Sequence, residues 1–377
     1  MRRILIAGGG TGGHVFPGLA IAKALVRLAD VEVVFAGSPR GLEARLVPEH
    51  GYALELLDVE PMIGGGAQRA IRGALVAAKV MRKAHALVRK LAPAAVLSVG
   101  GYAAGPAALA CVSRRVPLAI LEPNSILGLT NRILAPFARR GYVAWSSTRR
   151  HFGKGRSRLM GVPLRASFEP RPYTPQSPLR VLVLGGSQGA VALNTILPHA
   201  FGRLGAFELE IVHQTGRGRE EAVRAAYGST PVEIFPFLDD IATRMAAADL
   251  IVARAGAVTV AEISAIGRAA VLVPFPHAAD DHQTRNAESL ASVGAAVCLR
   301  QKDADEAHLA RVLQELLTDE PRRVRMADAA RTHGRPNAAE DIARDLLDLA
   351  GIGLRKIPPT NGSSSHVQVL DHDKGVS

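Results

Sequence analysis

Short apolar runs alternate with longer segments of helical periodicity along most of the chain. The runs are RILIA, VEVVFAG, AAVLSVGG and PLAILE in the first half, and RVLVLGG, ELEIVHQTG, DLIVARAG and AAVLVPF in the second. Apolar runs of this length are typical of strands, and strands that alternate with helices favour parallel sheets with helices on both faces. The pattern therefore predicts an α/β protein.

The pattern repeats about half-way along the chain. RILIAGG begins at Arg3 and RVLVLGG begins at Arg180, and each run leads into a glycine-rich turn and a helical segment. This repetition predicts two similar doubly wound domains, residues 1–161 and 179–335, joined by a proline-rich linker at 162–178. Because ligands of open parallel sheets bind beyond the carboxyl ends of the strands, we expect both glycine-rich turns to face one cleft.

Two further segments complete the predicted organisation. Residues 336–350 have helical periodicity, and we expect this helix to pack back on the first domain. Residues 351–377 are polar and irregular, which predicts a disordered tail.

Length and cysteine content fit a two-domain protein of the cytoplasm. A chain of 377 residues is too long for one ordinary core. Cys111 and Cys298 lie far apart and outside any C-x-x-C pattern, which predicts neither a disulfide framework nor a zinc site and fits a reducing compartment. No apolar run approaches the roughly 20 residues that span a bilayer, so we expect the protein to stay in the cytoplasm.

The charge indicates an acidic partner. The formal net charge is +12, which fits nucleic acid, a phosphorylated small molecule or an anionic membrane surface. Aromatic residues make up only 4% of the chain, and they do not cluster, so a surface for stacking nucleic-acid bases is poorly supported. We therefore expect no nucleic-acid partner.

The first glycine-rich turn, GGGTGGH at residues 8–14, matches the G-x-G-x-x-G pattern of dinucleotide sites. Such a site usually has Asp or Glu at the tip of the second strand, where it holds the ribose hydroxyls. Here that strand ends at Gly37 and is followed by Ser38, Pro39 and Arg40. The missing carboxylate argues against an oxidoreductase, and a plain strand-to-helix turn remains the alternative.

The second turn, GGSQGA at residues 185–190, has small residues that let backbone N–H groups approach an anion at a helix N-terminus. A diphosphate is a good candidate. Neither turn contains G-x-x-x-x-G-K-[ST], which argues against a P-loop ATPase. Polar side chains also follow other predicted strands, namely Glu122, Asn124, Glu262, Gln283 and Asn286.

Glu262 is the most suggestive of these side chains. It lies in the first turns of the helix that follows DLIVA, where a carboxylate can bind the two hydroxyls of a ribose. Stabilisation by the helix dipole, worth under ~1 kcal/mol, is the alternative.

Several motifs in order connect the chain to a known family. They are GGGTGGHVFPGLAIA, VGGYAAGP, EPNSILGLTNR, GGSQGA, FLDDI, RAGAVTVAE and DDHQTRNA. Over nearly all of residues 2–350 the sequence resembles the MurG family of peptidoglycan N-acetylglucosaminyltransferases, which belongs to glycosyltransferase family 28. The resemblance implies a GT-B fold and inverting transfer of GlcNAc from UDP-GlcNAc to undecaprenyl-diphospho-MurNAc-pentapeptide (lipid I), without a cofactor or catalytic metal. The product, lipid II, serves cell-wall synthesis, and through it cell shape and division.

The resemblance also implies where the substrates bind. The implied contacts of UDP-GlcNAc are Thr11, Gly12, Gly13, Asn124, Arg165, Ser187, Leu238, Ala257, Val258, Thr259, Val260, Ala261, Glu262 and Gln283. Among these, Leu238 would meet the uracil, Glu262 the ribose, and Arg165 and Ser187 the diphosphate. Tyr102 and the first glycine-rich turn would line the acceptor side of the cleft.

The chain departs from the family at two positions. Val162 and Ala255 stand where the family often has Asn and Ser, so an amide and a hydroxyl are lost. Because the residues around both positions match the family, we interpret the departures as variation and not as loss of activity.

Inverting transfer needs a base that takes the proton from the acceptor hydroxyl. His14 is the expected base, because imidazole titrates near neutrality and the residue follows the first glycine-rich turn into the cleft. A helix cap, or a group that only orients the sugar, is the alternative.

Many sugar-nucleotide transferases use a D-x-D metal site, and Asp303-Ala304-Asp305 matches those letters. This segment opens a helical run, however, which predicts an N-cap with carboxylates in the first helical turn. We therefore predict no metal.

A lipid acceptor requires contact with a membrane. Residues 67–91 are rich in Lys and Arg and contain no acidic residue. An apolar stripe edged by cations predicts a helix that lies on the anionic inner leaflet; its residues are Arg69, Ile71, Arg72, Leu75, Lys79, Arg82 and Lys83. An ordinary amphipathic helix with a solvated basic face is the alternative. With the membrane helix, the protein is expected to be peripheral on the cytoplasmic face of the cell membrane.

Two other functions remain open from the sequence. The chain can be another GT-B enzyme, such as a glycolipid-forming transferase or a UDP-GlcNAc 2-epimerase, which would release free ManNAc or UDP-ManNAc without a lipid acceptor. It can also be a non-catalytic, nucleotide-binding protein of the membrane surface. The sequence does not predict the oligomeric state.

Overall fold

The computed structural model describes residues 1–58, 67–186, 189–205 and 207–355, with the side chains of 67–75 and of residue 279 left aside. The strands of the first half are β1 (Arg2–Gly8), β2 (Val31–Gly37), β3 (Ala53–Leu56), β4 (Ala95–Gly100), β5 (Leu118–Glu122), β6 (Arg140–Val143) and β7 (Ser157–Leu159). Its helices are α1 (Gly12–Leu28), α2 (Glu43–Glu49), α3 (Ala67–Leu91), α4 (Ala104–Ser113) and α5 (Leu129–Leu134).

The second half repeats this alternation. Its strands are β8 (Leu179–Leu184), β9 (Leu209–Gln214), β10 (Glu233–Phe235), β11 (Leu250–Ala253), β12 (Ala270–Leu272) and β13 (Ala296–Cys298). Its helices are α6 (Val191–Gly202), α7 (Glu220–Tyr227), α8 (Ile241–Ala247), α9 (Ala257–Ile266), α10 (His282–Ser292), α11 (Glu306–Thr318), α12 (Glu320–His333) and α13 (Ala338–Leu349).

Each half forms one parallel sheet, as the alternating pattern predicts. The strand orders are β3-β2-β1-β4-β5-β6-β7 and β10-β9-β8-β11-β12-β13. In each sheet the second and third strands lie in order on one side of the first strand, and the later strands lie in order on its other side. This reversal leaves a crevice at the carboxyl ends of β1 and β4, and another at those of β8 and β11, where open parallel sheets bind their ligands.

The apolar runs form strands because both faces of each sheet are covered. In β1, Ile4 and Ile6 point into one core cluster, whereas Leu5 and Ala7 point into the cluster on the opposite face. Side chains alternate across a strand, so a strand that is buried on both faces has a nearly continuous apolar sequence. The prediction of a GT-B type α/β fold with two doubly wound sheets is confirmed.

The last helix, α13, packs against α1 in the first half of the chain. Its Ile342 and Leu346 are fully buried in the core cluster that also contains Leu25 of α1. At the same contact, Asp345 Oδ2 accepts hydrogen bonds from the Tyr142 hydroxyl at 2.8 Å and from Arg140 Nε at 3.1 Å. The helix therefore ties the end of the described chain to the first sheet. Most of the expected tail, 351–377, lies outside the described residues.

Candidate active site

The loop after β5 meets the start of α10 across the boundary between the two halves. The backbone N–H of Ser125 donates to Asn286 Oδ1 at 3.3 Å, and the Ser125 hydroxyl donates to the carbonyl oxygen of His282 at 3.4 Å. Asn286 in turn donates to the carbonyl of Ala255, two residues beyond the end of β11, at 3.2 Å. These contacts link loops at the carboxyl-terminal edge of each sheet, so both crevices open toward one cleft.

The first glycine-rich turn is built around a buried carboxylate, that of Glu43. Its Oε2 accepts from the N–H of Gly10 at 2.6 Å and its Oε1 accepts from the N–H of Ser38 at 2.8 Å. The side chain needs the surrounding glycines: a Cβ atom would stand within 2.6 Å of Glu43 at each of Gly9, Gly37 and Gly41.

An acidic residue is thus present beside the first turn, but it comes from the start of α2 and not from the tip of β2. It occupies the N–H of Gly10, which belongs to the turn where a dinucleotide site binds its phosphates. The sequence reasoning missed Glu43; the only available signal was an acidic residue shortly after the second predicted strand.

His14 lies in the first turn of α1, behind this glycine-rich turn. Its Nδ1 is 3.3 Å from the Thr11 hydroxyl oxygen. Burial lowers the pKa of His14 below 6.5, although a hydrogen bond with the backbone of Gly9 and the charge of Glu43 act in the opposite direction. His282, across the cleft, lowers the pKa further. At neutral pH the imidazole is therefore uncharged and able to accept a proton.

The ring of His14 packs closely on the end of β4. Gly100 has a φ of +91°, and a Cβ atom there would lie 3.0 Å from the His14 ring. Tyr102, two residues further on, is 62% exposed. Thr11 and Gly13 are also exposed and Gly12 is partly exposed, so the predicted acceptor-side residues are accessible to a ligand.

Glu122 organises the loop that carries Asn124. The buried Glu122 carboxylate accepts hydrogen bonds from the Asn124 backbone and side chain, from the Gly128 N–H at 2.9 Å and from Asn131 Nδ2 at 3.1 Å. Burial raises the pKa of Glu122, and these hydrogen bonds oppose the shift. Asn124 itself remains partly exposed at the cleft.

Arg165 and Glu262 lie within electrostatic range of each other at the entrance to the second half. The guanidinium carbon of Arg165 lies 5.5 Å from the ring centroid of Phe16 on α1 and 5.3 Å from that of Phe168. Glu262 lies on α9 and is 7% exposed. Burial raises the pKa of Glu262 to about 8, and the charge of Arg165 opposes this shift.

The second glycine-rich turn is held by β9. Gln214 Nε2 donates to the Gly186 carbonyl at 3.1 Å, and the Gly185 N–H donates to the Gln214 carbonyl at 3.2 Å. The expected contact Ser187 lies outside the described residues.

Arg219 is a cation beside this turn that the sequence reasoning missed. Its Nη1 is buried and has no hydrogen-bond partner within the part of the chain that the structure describes. A Cβ atom at Gly189 would stand 2.9 Å from this nitrogen. A buried guanidinium N–H without a partner is costly, and a phosphate oxygen is the acceptor that it suits best. The signal in the sequence was the segment TGRGR, which is rich in Gly and Arg and directly follows β9.

The other predicted donor contacts lie at the same edge of the second sheet. Gln283 Oε1 accepts from the Phe275 N–H at 3.0 Å. Leu238 is 4% exposed and its side chain belongs to the hydrophobic core, so it can offer a ligand chiefly its backbone. On α9, Ala257 and Val260 are buried, whereas the partly exposed residues are Val258, Thr259 and Ala261. Ala255, where the family often has Ser, is fully buried.

The D-x-D segment acts as a helix cap, as predicted. Asp305 Oδ1 accepts from the N–H of His308 at 2.8 Å at the start of α11. Among the described residues, no group of three or more His, Cys, Asp or Glu side chains is arranged to hold a metal ion.

The basic helix α3 is present, and part of its predicted membrane surface is described. Lys79, Arg82 and Lys83 are exposed, whereas Ala84 and Val88 are buried against the sheet. Side chains of the other predicted members, Arg69, Ile71, Arg72 and Leu75, lie outside the described set. Within the described ranges, no helix is both long enough and apolar enough to span a bilayer.

Comparison with known proteins gives consistent matches. The family models "Glycosyltransferase family 28 N-terminal domain" and "Glycosyltransferase family 28 C-terminal domain" match residues 4–143 and 180–342. A protein of Sorangium cellulosum is 50% identical over 360 residues, which cover 93% of this chain and 89% of that protein. It is named UDP-N-acetylglucosamine–N-acetylmuramyl-(pentapeptide) pyrophosphoryl-undecaprenol N-acetylglucosamine transferase.

Solved structures agree with these matches. The crystal structure of Acinetobacter baumannii MurG superimposes with a TM-score of 0.77 at 33% identity, covering 92% of this chain and 100% of that one. A UDP-GlcNAc 2-epimerase from Neisseria meningitidis, bound to UDP-GlcNAc, has a TM-score of 0.63 at 11% identity, with 92% and 100% of the two chains covered. The latter likeness extends to the fold alone.

Proposed function

This chain belongs to glycosyltransferase family 28, and from that membership we propose that it transfers GlcNAc from UDP-GlcNAc to lipid I, which yields lipid II for peptidoglycan synthesis. The name of the Sorangium cellulosum relative states this donor and this acceptor. The enzyme is an N-acetylglucosaminyltransferase with the GT-B fold.

The observation that carries the proposal is the position and state of His14. The residue lies at the carboxyl-terminal edge of the first sheet, its pKa is lowered by burial, and His282 of the second half lies within electrostatic range. A neutral imidazole at such a point can take a proton from an acceptor hydroxyl while a sugar nucleotide rests on the opposite wall.

We place UDP-GlcNAc against the second sheet. Glu262 holds the ribose hydroxyls, Leu238 meets the uracil through its backbone, and Gln283 binds the sugar. Asn124, Thr11, Gly12 and Gly13 close on the sugar from the first half, and Tyr102 lines the acceptor side. The exposed α9 positions contact the nucleotide.

The departing diphosphate needs positive charge as the bond to the anomeric carbon breaks. Arg165, the N–H groups of the turn that contains Ser187, and Nη1 of Arg219, which has no partner among the described residues, supply it. Fixed charges and backbone donors of this kind stabilise the transition state without reorganising during the reaction. The acceptor oxygen attacks on the face opposite the leaving group, so the anomeric configuration inverts.

One assay tests the reaction directly. Radiolabelled GlcNAc in UDP-GlcNAc is supplied with a lipid I analogue, and label in the lipid fraction is measured together with released UDP. We expect equal amounts of both, and a loss of turnover of about 10²- to 10⁴-fold in His14→Ala with donor affinity retained. Free ManNAc or UDP-ManNAc formed without an acceptor would instead identify an epimerase, and nucleotide binding without turnover would identify a non-catalytic protein.

We further propose that the enzyme acts as a peripheral protein on the cytoplasmic face of the cell membrane. The exposed cations of α3 are supported by a second feature, three apolar side chains spaced four residues apart along α5 and the turn after it. Leu129, Ile133 and Phe137 are 68%, 56% and 53% exposed. Helices α3 and α5 both neighbour α4 on one face of the first sheet, and an apolar stripe beside cations suits an anionic bilayer surface.

A further inference from the structure

One peptide group lies between Glu43 and His14. The N–H of Gly10 donates to Glu43 Oε2 at 2.6 Å. The carbonyl of the same peptide belongs to Gly9, whose backbone hydrogen-bonds to the His14 ring and raises its pKa, as an acceptor does. The Gly9–Gly10 peptide therefore lies between the carboxylate and the imidazole, with its N–H bound to Glu43 and its carbonyl on the side of the His14 ring.

Three glycines around this peptide, Gly9, Gly100 and Gly101, have no room for a side chain. A Cβ atom at Gly9 would stand 2.2 Å from the carboxyl carbon of Glu43, and one at Gly101 would stand 2.3 Å from the Gly9 carbonyl oxygen. One at Gly100 would lie 3.0 Å from the His14 ring. Side chains at these positions would displace the carboxylate, the carbonyl and the ring in turn, so these glycines serve the whole series of contacts.

We propose that Glu43 is a positioning residue for His14. The Glu43 carboxylate holds and polarises the Gly9–Gly10 peptide, and the Gly9 carbonyl then fixes the His14 ring through one ring nitrogen. The other ring nitrogen remains free for the acceptor hydroxyl. This inference rests on the proposed function and on His14 as the base. Hydrogen bonds in series strengthen one another. The arrangement gives His14 the support that Asp gives His in a Ser-His-Asp triad, here through an interposed peptide.

The charges around the ring set the expected direction of change. Among the described residues, two titratable groups face His14. The charge of Glu43 raises the pKa of His14, and His282 lowers it. Removing the charge of Glu43 and weakening the bond to Gly9 both lower the pKa of His14. The imidazole then becomes a weaker and less well oriented base.

Glu43→Gln keeps the shape of the side chain and removes its charge. We expect kcat to fall roughly 10- to 100-fold, less than for loss of the base itself. The KM for UDP-GlcNAc should change less than about twofold, because most of the donor contacts that we assign lie on the second sheet. The acid limb of kcat/KM should move to lower pH by roughly half a unit. Glu49→Gln, on the same helix, is the matched control: its carboxylate pairs with Arg45 at the surface, and all three quantities should stay unchanged.

A double-mutant cycle separates positioning from a merely structural role. If Glu43 acts through His14, Glu43→Gln has no further effect on kcat in a His14→Ala background. Losses that multiply in the double variant, or an acid limb that does not move in Glu43→Gln, overturn the proposal. If Glu43→Gln fails to fold, Glu43→Asp, which keeps the carboxylate on a shorter side chain, replaces it in the same double-mutant cycle. Wild-type turnover in His14→Ala would refute the base as well, so the two failures are distinguishable.

Discussion

Glu262 shows how the surroundings of one residue set its chemistry. Its side chain is 7% exposed on α9, and burial raises its pKa to about 8 against the charge of Arg165. In the ligand-free protein the carboxyl group therefore carries a proton at neutral pH. The unfolded chain, where the carboxyl group titrates near its ordinary value of 4.5, has lost that proton. The two states thus bind different numbers of protons between about pH 4.5 and 8, and stability must change across this range.

Glu262→Gln tests this state of the carboxyl group. Because the folded pKa is raised, the contribution of Glu262 to stability is complete below pH 4.5 and is lost as the pH rises through about 8. The free energy of unfolding of Glu262→Gln relative to wild type should therefore increase by about 1.4 kcal/mol per pH unit between pH 5 and 7.5 and level off above pH 8. Urea unfolding at several pH values measures it, with the exposed Glu221→Gln as control. A difference that is independent of pH would contradict a raised pKa.

Arg219→Met tests the buried cation beside the second glycine-rich turn, whose Nη1 has no partner among the described residues. If Nη1 of Arg219 binds the diphosphate, the variant should bind UDP about tenfold more weakly, or ~1.4 kcal/mol, and bind uridine as wild type does. Titration calorimetry with both ligands measures this. Arg217→Met, exposed in the same turn, is the control and should leave both affinities unchanged. Equal losses for uridine and UDP would mean that Arg219 only supports the fold.

The sequence predicted the residues that motifs mark, such as His14 and Glu262, but missed Glu43 and Arg219. Glu43 reaches back 33 positions to Gly10, and its role depends on glycines from three separate segments. Arg219 lies beside Gly189 only because β8 and β9 are neighbours in the sheet. Local patterns do not reveal which side chain returns to a turn, so contacts of this kind require the structure.

At the scale of elements, burial decides what the hydrophobic pattern could predict. The central strands β1, β4 and β8 have continuous apolar runs, and the sequence identifies them. The edge strand β3 has no such run, because its residues are exposed or only partly buried. β7 and β10 are edge strands of three residues, likewise mostly outside the core. Such strands take their position from pairing with a neighbour, which the sequence pattern does not record.

Helix α3 and the apolar stripe of α5 give a prediction at this scale. Wild-type protein should sediment with anionic vesicles and be released by salt. Lys79→Gln/Arg82→Gln/Lys83→Gln should weaken binding by up to about two orders of magnitude, since each cation near the surface contributes ~1 kcal/mol. Ile133→Ser/Phe137→Ser should weaken it at any salt concentration. A control variant with the same change in charge on the second half, Lys302→Gln/Arg311→Gln/Arg325→Gln, should bind vesicles as wild type does. Binding that depends neither on lipid charge nor on salt would contradict the proposed surface.

At the scale of the whole molecule, two similar sheets become one site through contacts that join distant parts of the chain. Ser125 meets Asn286 and His282, and α13 returns from the second half to pack on α1. The repeat in the sequence predicted the two sheets and their shared cleft. The packing of α13 on the first half is apolar and was expected from the sequence. The contacts of Ser125 with Asn286 and His282 were not, because they are polar and join residues that no periodic pattern relates.

The charge of the whole molecule leads to the last prediction. The formal net charge is +12, and the groups we assign to the donor diphosphate are Arg165, Arg219 and the N–H groups of the turn that precedes α6. Because these fixed donors neutralise the leaving group, we expect the transfer rate to be undiminished in EDTA. Arg165→Met, which removes one of them, should lower kcat without making the rate depend on added metal. Loss of activity in EDTA that Mg²⁺ or Mn²⁺ restores would show that a divalent cation carries this charge instead.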